Sequence, residues 1–350
     1  MLNKKMKIQA DNKNLKYMGR IDYENPGKPV FIWAGSNVRM KFRGTGVSIC
    51  IKNKKFYGNN SVGVFIDGRE YKISIDNCYD DSIINVDKNL DDDVHNVILF
   101  KRQGATHYFE FSGFEIVGEI LECENLPERK IECFGDSVSE GEVCEALDYK
   151  GKTDPENHLN EYDNAWYSYS MITARNLNAQ INNNAQGGIA IFDDTGFFHA
   201  PDCIGMESAY DKLCYYPEGK NGVTPWDFSA YIPDLVIFAI GQNDIHNEGR
   251  ADSDIHNKEF REKWKKGYKK IILSLQEKYP DAHFILLLTV LQHDKGWDDA
   301  VREISEELDE KVFYFKFSGT GKVTPGHPRI TEQLEMAEEL TFYINSLGIF

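Results

Sequence analysis

The stretch Ile131-Glu-Cys-Phe-Gly-Asp-Ser-Val-Ser-Glu-Gly141 is a short apolar run that ends at a glycine and continues into an acidic residue and a serine. This pattern predicts a buried strand that turns into a helix at Asp136 and Ser137. A serine at such a turn projects its hydroxyl from the carboxyl edge of a parallel sheet, where backbone N–H groups can stabilise an oxyanion. Ser137 is therefore a candidate nucleophile, although the same three residues would also suit a simple helix cap.

After Pro127, apolar strand-like runs alternate with helical stretches. The strands are expected at 130–134, 179–183, 235–240 and 284–290, and the helices near 166–177, 260–279 and 331–347. Strands that are apolar throughout and joined by amphipathic helices are typical of a parallel sheet covered on both faces. We predict a three-layer α/β/α domain over residues 127–350.

Before Pro127 the pattern is different. Between residues 30 and 117, short runs of alternating apolar and polar residues, such as 38–42 and 47–51, are separated by Gly, Asn and Asp. Alternation with a period of two and frequent turn residues predicts an antiparallel β-sandwich or jelly roll. We assign it to residues 1–126, which agrees with a length of 350 residues, more than one compact domain usually has.

Charge and composition narrow the classes of partner. A formal net charge of −16 disfavours binding to nucleic acid and to anionic membranes and suits a neutral ligand. Seven scattered cysteines and nine histidines show no spacing typical of disulfide frameworks or metal sites, so neither a metal nor a cofactor is expected. Without an apolar leader at the start we expect a cytoplasmic protein. A homo-oligomer is left open.

Three further blocks follow predicted strands or precede the last helix. Asn184-Ala-Gln-Gly-Gly188 contains a glycine that can turn its N–H toward a negative charge, and Gly241-Gln-Asn-Asp244 brings an amide donor, Asn243, to the same sheet edge. His327, followed by a proline before the terminal helix, can act as the base for Ser137. Each block alone would be only a turn or a loop.

Together, the four blocks resemble the SGNH hydrolase superfamily. The four letters of that name fall on Ser137, Gly188 (or its neighbour Gly187), Asn243 and His327. The resemblance implies that Ser137 is the nucleophile and His327 the base. It also implies that Ser137, Gly188 and Asn243 form the oxyanion hole.

The first domain carries a narrower resemblance. Trp33-Ala-Gly-Ser36, Phe65-Ile-Asp-Gly68 and Phe111-Ser-Gly-Phe-Glu115 are similar to the β-domain of carbohydrate esterase family 2, and Trp226-Asp-Phe228 also fits that family. The resemblance implies a serine esterase that removes O-acetyl groups from plant-wall carbohydrate, whether polysaccharide or oligosaccharide, through an acetyl-enzyme. We assign Asp136 and Trp226 to substrate binding.

The chain departs from this pattern at two positions. Many SGNH enzymes have an aspartate three residues before the histidine, where this chain has Thr324. We therefore expect a Ser137–His327 dyad whose imidazole is held by a backbone carbonyl, the alternative being a carboxylate from another loop. At Gly326, members of the family can carry a tryptophan that lines the cleft, so its absence favours short, imported oligosaccharides.

Two other functions remain open. The same fold could act as a lipase or thioesterase, because a fold does not determine its substrate. The chain could also be a non-catalytic carbohydrate-binding protein with a degenerate hydrolase site, for which the missing acid at position 324 is the one supporting feature.

Overall fold

The computed structural model describes residues 4–55, 58–193, 195–197, 204–215, 223–245, 254–321 and 325–350. The chain divides into two compact units. One comprises Met1–Leu126 together with Leu159–Glu161, and the other Pro127–His158 together with Tyr162–Phe350. The short segment Leu159–Glu161 thus groups with the first unit although it lies within the sequence of the second.

Within its described residues, the first unit contains ten strands that pair antiparallel. They are β1 (Lys5–Gln9), β2 (Lys16–Met18), β3 (Ile21–Asp22), β4 (Val30–Phe31), β5 (Asn37–Asn53), β6 (Ser61–Ile66), β7 (Arg69–Ser74), β8 (Ser82–Asp87), β9 (Asp93–Lys101) and β10 (Phe109–Leu121). The long strand β5 pairs with β10, with β9 along its first half and with β8 along its second half. Alternate apolar side chains from these strands form one core, so the prediction of an all-β first domain is confirmed.

Strand β5 differs from the expectation of two separate strands at 38–42 and 47–51. Gly44 does not end the strand but lies opposite Gly118 of β10, next to a register shift between Val117 and Gly118. A Cβ on Gly44 would lie 1.9 Å from the carbonyl oxygen of Val117. The glycine therefore allows close backbone approach at a bulge, and a glycine can have this role in a strand as readily as a role in a turn.

The second unit alternates strands and helices. The strands are β11 (Arg129–Gly135), β12 (Ala179–Ala185), β13 (Lys212–Cys214), β14 (Thr224–Pro225), β15 (Leu235–Ala239), β16 (His283–Leu286) and β17 (Val312–Tyr314). The helices are α1 (Ser137–Glu140), α2 (Tyr169–Asn176), α3 (Met206–Ala209), α4 (Lys258–Lys278), α5 (Lys295–Glu306) and α6 (Ile330–Leu347). We had not predicted α5 or β17.

Five of these strands form a parallel sheet in the order β12-β11-β15-β16-β17. Helix α2 packs against α6 and α4 against α5, and the predicted α/β/α domain is confirmed. Strands β13 and β14 pair with each other outside this sheet. No helix of the described ranges is long and apolar enough to cross a bilayer.

The register of the three neighbouring strands β12, β11 and β15 positions the site. Gly135 at the end of β11 pairs with Ala185 at the end of β12 and with Ala239 at the end of β15. Because these strands are parallel, their carboxyl ends lie side by side. The segments that follow them, beginning at Asp136, Gln186 and Ile240, therefore start at one edge of the sheet.

Candidate active site

Ser137 lies at the turn from β11 into α1, where the sequence predicts it. The Asp136 carboxylate caps α1 by accepting a hydrogen bond from the N–H of Val138 at 3.1 Å. A Cβ on Gly135 would lie 2.2 Å from the side chain of Ser139, so only glycine allows the strand to meet the helix this closely. The turn orients Ser137 at the sheet edge with only 4% of its surface exposed.

The structure brings His327 to Ser137. The imidazole Nε2 lies 2.8 Å from the Ser137 hydroxyl oxygen, across 190 residues of sequence. Just beyond the histidine, the N–H of Ile330 at the start of α6 donates to the carbonyl of Cys144 at 2.9 Å. This contact holds the segment containing His327 beside the residues that follow α1.

The expectation of a dyad held by a backbone carbonyl is wrong, because a carboxylate contacts the other imidazole nitrogen. Asp154 Oδ2 lies 2.6 Å from His327 Nδ1, and Asp154 also accepts a hydrogen bond from the His327 backbone N–H at 3.0 Å. Position 324, where the acid is usual, lies outside the described residues. The acid comes instead from the irregular segment that follows α1, and the site is a Ser137–His327–Asp154 triad in geometry.

The third member could not have been identified from the sequence. Asp154 is one of 56 acidic residues, and the letters around it, Lys-Thr-Asp-Pro-Glu, match no catalytic block. It lies in no helix or strand whose period would indicate its direction. Only its packing against His327 distinguishes it.

The contacts assign the protons of the triad. A carboxylate only accepts, so Nδ1 of His327 carries a proton toward Asp154 and the neutral ring presents Nε2 as acceptor to the Ser137 hydroxyl. Burial would raise the pKa of Asp154, but its hydrogen bonds to His327 and to the Arg329 guanidinium hold that pKa well below the usual range. Asp154 is thus ionised whenever the imidazole must be oriented.

A second carboxylate faces the reacting nitrogen. Glu142 Oε2 lies 3.9 Å from His327 Nε2. Burial lowers the pKa of His327, but the Glu142 charge and the Asp154 hydrogen bond outweigh it and raise the pKa to about 9. Burial in turn raises the pKa of Glu142 to about 7 despite the nearby imidazole. Glu142 was not among the predicted residues and favours the protonated form of the base.

The segment after β12 places Gly187 and Gly188 beside α1. The Gly187 N–H donates to the Glu140 carboxylate at 2.5 Å, whereas the Gly188 N–H has no hydrogen-bond partner among the described residues. Gly188 has a φ of 75°, which glycine adopts without strain. Of the two glycines in the predicted block, Gly188 therefore has the N–H available for an oxyanion.

The segment after β15 holds the residues that follow Gly188 by hydrogen bonds. The Asn243 side-chain amide donates to the carbonyl of Ile189 at 3.0 Å, and the Asp244 carboxylate accepts from the N–H of Ile191 at 3.0 Å. An amide nitrogen carries two hydrogens, so one N–H of Asn243 is left for a substrate oxygen. Burial raises the pKa of Asp244 to about 7.

The structure does not place the two residues assigned to substrate binding where a substrate could contact them. Asp136 is completely buried and caps α1, and burial raises its pKa to about 6. Trp226 follows β14 and precedes Phe228, whose ring packs on Tyr279 between α4 and β16. That position is at the amino ends of the parallel strands, the edge opposite Ser137, so the structure does not bring Trp226 to the site.

Within the described ranges, no group of three or more His, Cys, Asp or Glu side chains has the arrangement of a metal site. The residues gathered at the edge are a hydroxyl, an imidazole, carboxylates and N–H donors. Such a set suits acyl transfer through a covalent intermediate.

Comparison with known proteins gives consistent relatives. Residues 17–122 match the family described as Carbohydrate esterase 2 N-terminal. Over 97% of its length the chain is 32% identical to Cellulase/esterase CelE of Acetivibrio thermocellus, of which it spans 40%. Over 95% of its length it is 25% identical to an acetylxylan esterase / glucomannan deacetylase of Cellvibrio japonicus, of which it spans 89%.

A solved structure is similar to this chain over nearly its whole length. The family two carbohydrate esterase from Clostridium thermocellum in complex with cellohexaose has a TM-score of 0.79 and 30% identity. The similarity covers 96% of this chain and 100% of that one.

Proposed function

Because the chain belongs to carbohydrate esterase family 2, we propose that it is a serine esterase that removes O-acetyl groups from plant-derived carbohydrate. The observation that carries the proposal is the line of contacts from the Ser137 hydroxyl to His327 Nε2 at 2.8 Å and from His327 Nδ1 to Asp154 at 2.6 Å. Family membership supports the substrate class, and the contacts support the chemistry.

In the first half of the proposed reaction, His327 takes the Ser137 proton as the hydroxyl oxygen attacks the acetyl carbonyl. The imidazolium is stabilised by ionised Asp154, and the new oxyanion is held by the N–H groups of Ser137 and Gly188 and by the Asn243 amide. Each such donor contributes about 3 to 4 kcal/mol to the transition state. The sugar hydroxyl leaves with the proton from His327.

In the second half, His327 removes a proton from water, which attacks the acetyl-Ser137 ester. The tetrahedral intermediate then releases acetate and restores the Ser137 hydroxyl. The same oxyanion donors act in both halves.

Three features of relatives support carbohydrate as the substrate. One relative is named as an acetylxylan esterase and glucomannan deacetylase, another as a cellulase/esterase, and the solved relative is in complex with cellohexaose. We propose acetylated oligosaccharides of xylan, glucan or mannan type for this chain. The cytoplasmic location is part of the same proposal and can be checked by fractionation of the producing cells.

Acetate release from acetylated xylo-, gluco- and mannooligosaccharides tests the proposal, with p-nitrophenyl acetate as a chromogenic substrate. Ser137→Ala should lower kcat by at least about a thousandfold without unfolding the chain. Ser139→Ala is the matched control, since this buried serine two residues away contacts the Tyr169 hydroxyl at 2.8 Å and takes no part in the reaction.

The same assay distinguishes the proposed esterase from a binding protein and from a lipase or thioesterase. Wild-type protein that binds the oligosaccharides but releases no acetate would be a binding protein. A preference for long acyl chains would indicate a lipase or thioesterase. Either result would overturn the proposal.

A further inference from the structure

Gly326 packs directly against the segment that carries the acid. A Cβ on Gly326 would lie 2.6 Å from Asp154 Oδ1, 2.8 Å from the carbonyl oxygen of Lys152 and 2.9 Å from the backbone nitrogen of Asp154. Two of these atoms belong to the backbone and cannot rotate away. A side chain at position 326 would therefore push the acid-bearing segment as a whole.

The backbone conformation of Gly326 does not itself require glycine. This residue is not among the described glycines with positive φ, so alanine would be tolerated there if the neighbouring segment were absent. The close approach of residues 152–154 is thus the specific reason for glycine at this position.

Arg329 also holds this segment. Its guanidinium donates to Asp154 Oδ1 at 2.7 Å, to the carbonyl of Tyr149 at 3.2 Å and to the carbonyl of His327 at 2.7 Å. Arg329 is 1% exposed, and a guanidinium presents five donors in a rigid fork. One side chain therefore joins both ends of the acid-bearing segment to the segment that contains the base.

We propose that Gly326 and Arg329 are positioning residues for the catalytic acid. Gly326 leaves the space that Asp154 occupies under His327, and Arg329 holds Asp154 ionised and aimed at Nδ1. A side chain at 326 and a carboxylate at this place exclude each other. The absence of a side chain at position 326 thus serves the placement of Asp154 beside the imidazole. The inference rests on the proposed function, since it assigns roles within that reaction.

A double-mutant cycle tests the role of Gly326. Gly326→Ala should lower kcat by at least about tenfold with little change in KM, because it displaces a group that acts in the transition state. In an Asp154→Asn background the same change should cost less than about threefold, because the acid it displaces is already lost. Independent, multiplying effects of the two substitutions would overturn the proposal.

A second readout does not depend on ester hydrolysis. The wild-type protein should show a strongly downfield proton NMR signal from the Nδ1–H of His327, and both Asp154→Asn and Gly326→Ala should remove it. Wild type with this signal but without acetate release would refute the proposed function and leave the positioning role standing. Gly326→Ala that keeps both the signal and full activity would refute the positioning role alone.

Gly296→Ala is the matched control for crowding. A Cβ there would lie 2.8 Å from the side chain of Ile255 and 2.9 Å from Asp294 Oδ1, and none of its three nearest atoms belongs to the triad. We expect it to lower the melting temperature while kcat stays within about twofold of wild type. A loss of activity equal to that of Gly326→Ala would show that crowding in general, and not displacement of Asp154, is responsible.

The role of Arg329 is tested with two substitutions, one that removes its charge and one that keeps the charge but changes the hydrogen-bond geometry. Arg329→Met should lower kcat at least about tenfold and move the pH profile of kcat/KM, whereas Arg329→Lys should restore part of the loss because it keeps the charge but cannot reach all three acceptors. Arg261→Met, which breaks an ion pair with Glu303 of 2.7 Å elsewhere in the unit, is the control and should leave the pH profile unchanged. An unchanged profile in Arg329→Met would overturn this part of the proposal.

Discussion

The two halves of the proposed active site are held in place by different means. Ser137, Gly188 and Asn243, the strand-borne half, each follow a strand of the parallel sheet within four residues, and the three strands are in register. Asp154 and His327, the loop-borne half, lie in irregular segments and are joined by side-chain contacts to each other and to Arg329. The sheet therefore positions the proposed nucleophile and oxyanion donors, while a polar network positions the proposed acid and base.

A residue's contribution to the reaction therefore does not depend on whether it follows a regular strand or lies in a loop. Removal of a loop-borne group should cost at least as much activity as removal of a strand-borne oxyanion donor, because both act on the same transition state. The loop-borne half should differ in how easily it is displaced by changes in its neighbours, because no register of paired strands fixes it.

The largest effect is expected for His327→Ala. Among the described residues, His327 is the base in contact with the Ser137 hydroxyl, so its removal should lower kcat by about ten thousandfold or more. The rate of acetyl-enzyme formation, measured by mass spectrometry of the quenched protein, checks whether acylation itself is lost. Retained acylation would show that another group is the base and that His327 does not belong to the loop-borne half of the site.

Asp154→Asn should have the next largest effect. An amide cannot stabilise the imidazolium and can hold the ring in the wrong tautomer, so kcat should fall by about a thousandfold or more with KM little changed. Asp148→Asn, an acid in the same region that has no contact with the imidazole, is the control. A loss smaller than about tenfold would restore the dyad that we first expected.

Asn243→Ala should lower kcat by about a hundredfold. KM should change little, because the amide acts on the oxyanion and not on the ground state. A change confined to KM would make Asn243 a binding or structural residue. Since its amide also holds the Ile189 carbonyl, the melting temperature of the variant must be measured alongside.

Glu142→Gln should shift the pH profile more than the maximum rate. The Glu142 charge favours the imidazolium, so its loss lowers the pKa of His327 from about 9 and enlarges the neutral fraction that can accept a proton. The acid limb of the kcat/KM profile should therefore move to lower pH. The activity at pH 7 should rise about threefold or more. An acid limb that stays in place would show that Glu142 does not act on the base.

The smallest effect is expected for Trp226→Ala. Because Trp226 lies at the opposite sheet edge, kcat/KM on acetylated oligosaccharides should change by less than about twofold, apart from any loss of stability. Its matched aromatic in the same segment, Phe228→Ala, should behave alike. A selective rise in KM for Trp226→Ala would show that the substrate reaches that edge.

Much of the fold followed from periodicity alone. The change from alternation with a period of two to apolar strands joined by helices distinguished the antiparallel first unit from the parallel sheet. It also placed strands β11, β12 and β15 and helices α2, α4 and α6 close to their observed bounds. Gly44 misled because a glycine in a bulge and a glycine in a turn look the same in sequence. Strand β17 has three residues, too few for its period to be recognised.

Within the site, the residues that immediately follow predicted strands could be identified before the structure was known. The carboxyl ends of parallel strands share one edge, so Ser137, Gly188 and Asn243 could be grouped from their order along the chain. His327 was identified because its block directly precedes the terminal helix and completes the resemblance to the SGNH hydrolases. No comparable position next to a predicted strand or helix indicates that Asp154, Glu142, Gly326 and Arg329 belong to one site.

Their roles were decided by the tertiary structure alone. Asp154 and His327 are 173 residues apart, and a carboxylate has no periodic signature that indicates which distant imidazole it will meet. Gly326 lacks a side chain for a reason that exists only when residues 152–154 lie against it. The period of a strand or helix is a local property that a sequence displays directly. The contact between two loops depends instead on the whole chain having folded, and that is why the acid of this site became visible only in three dimensions.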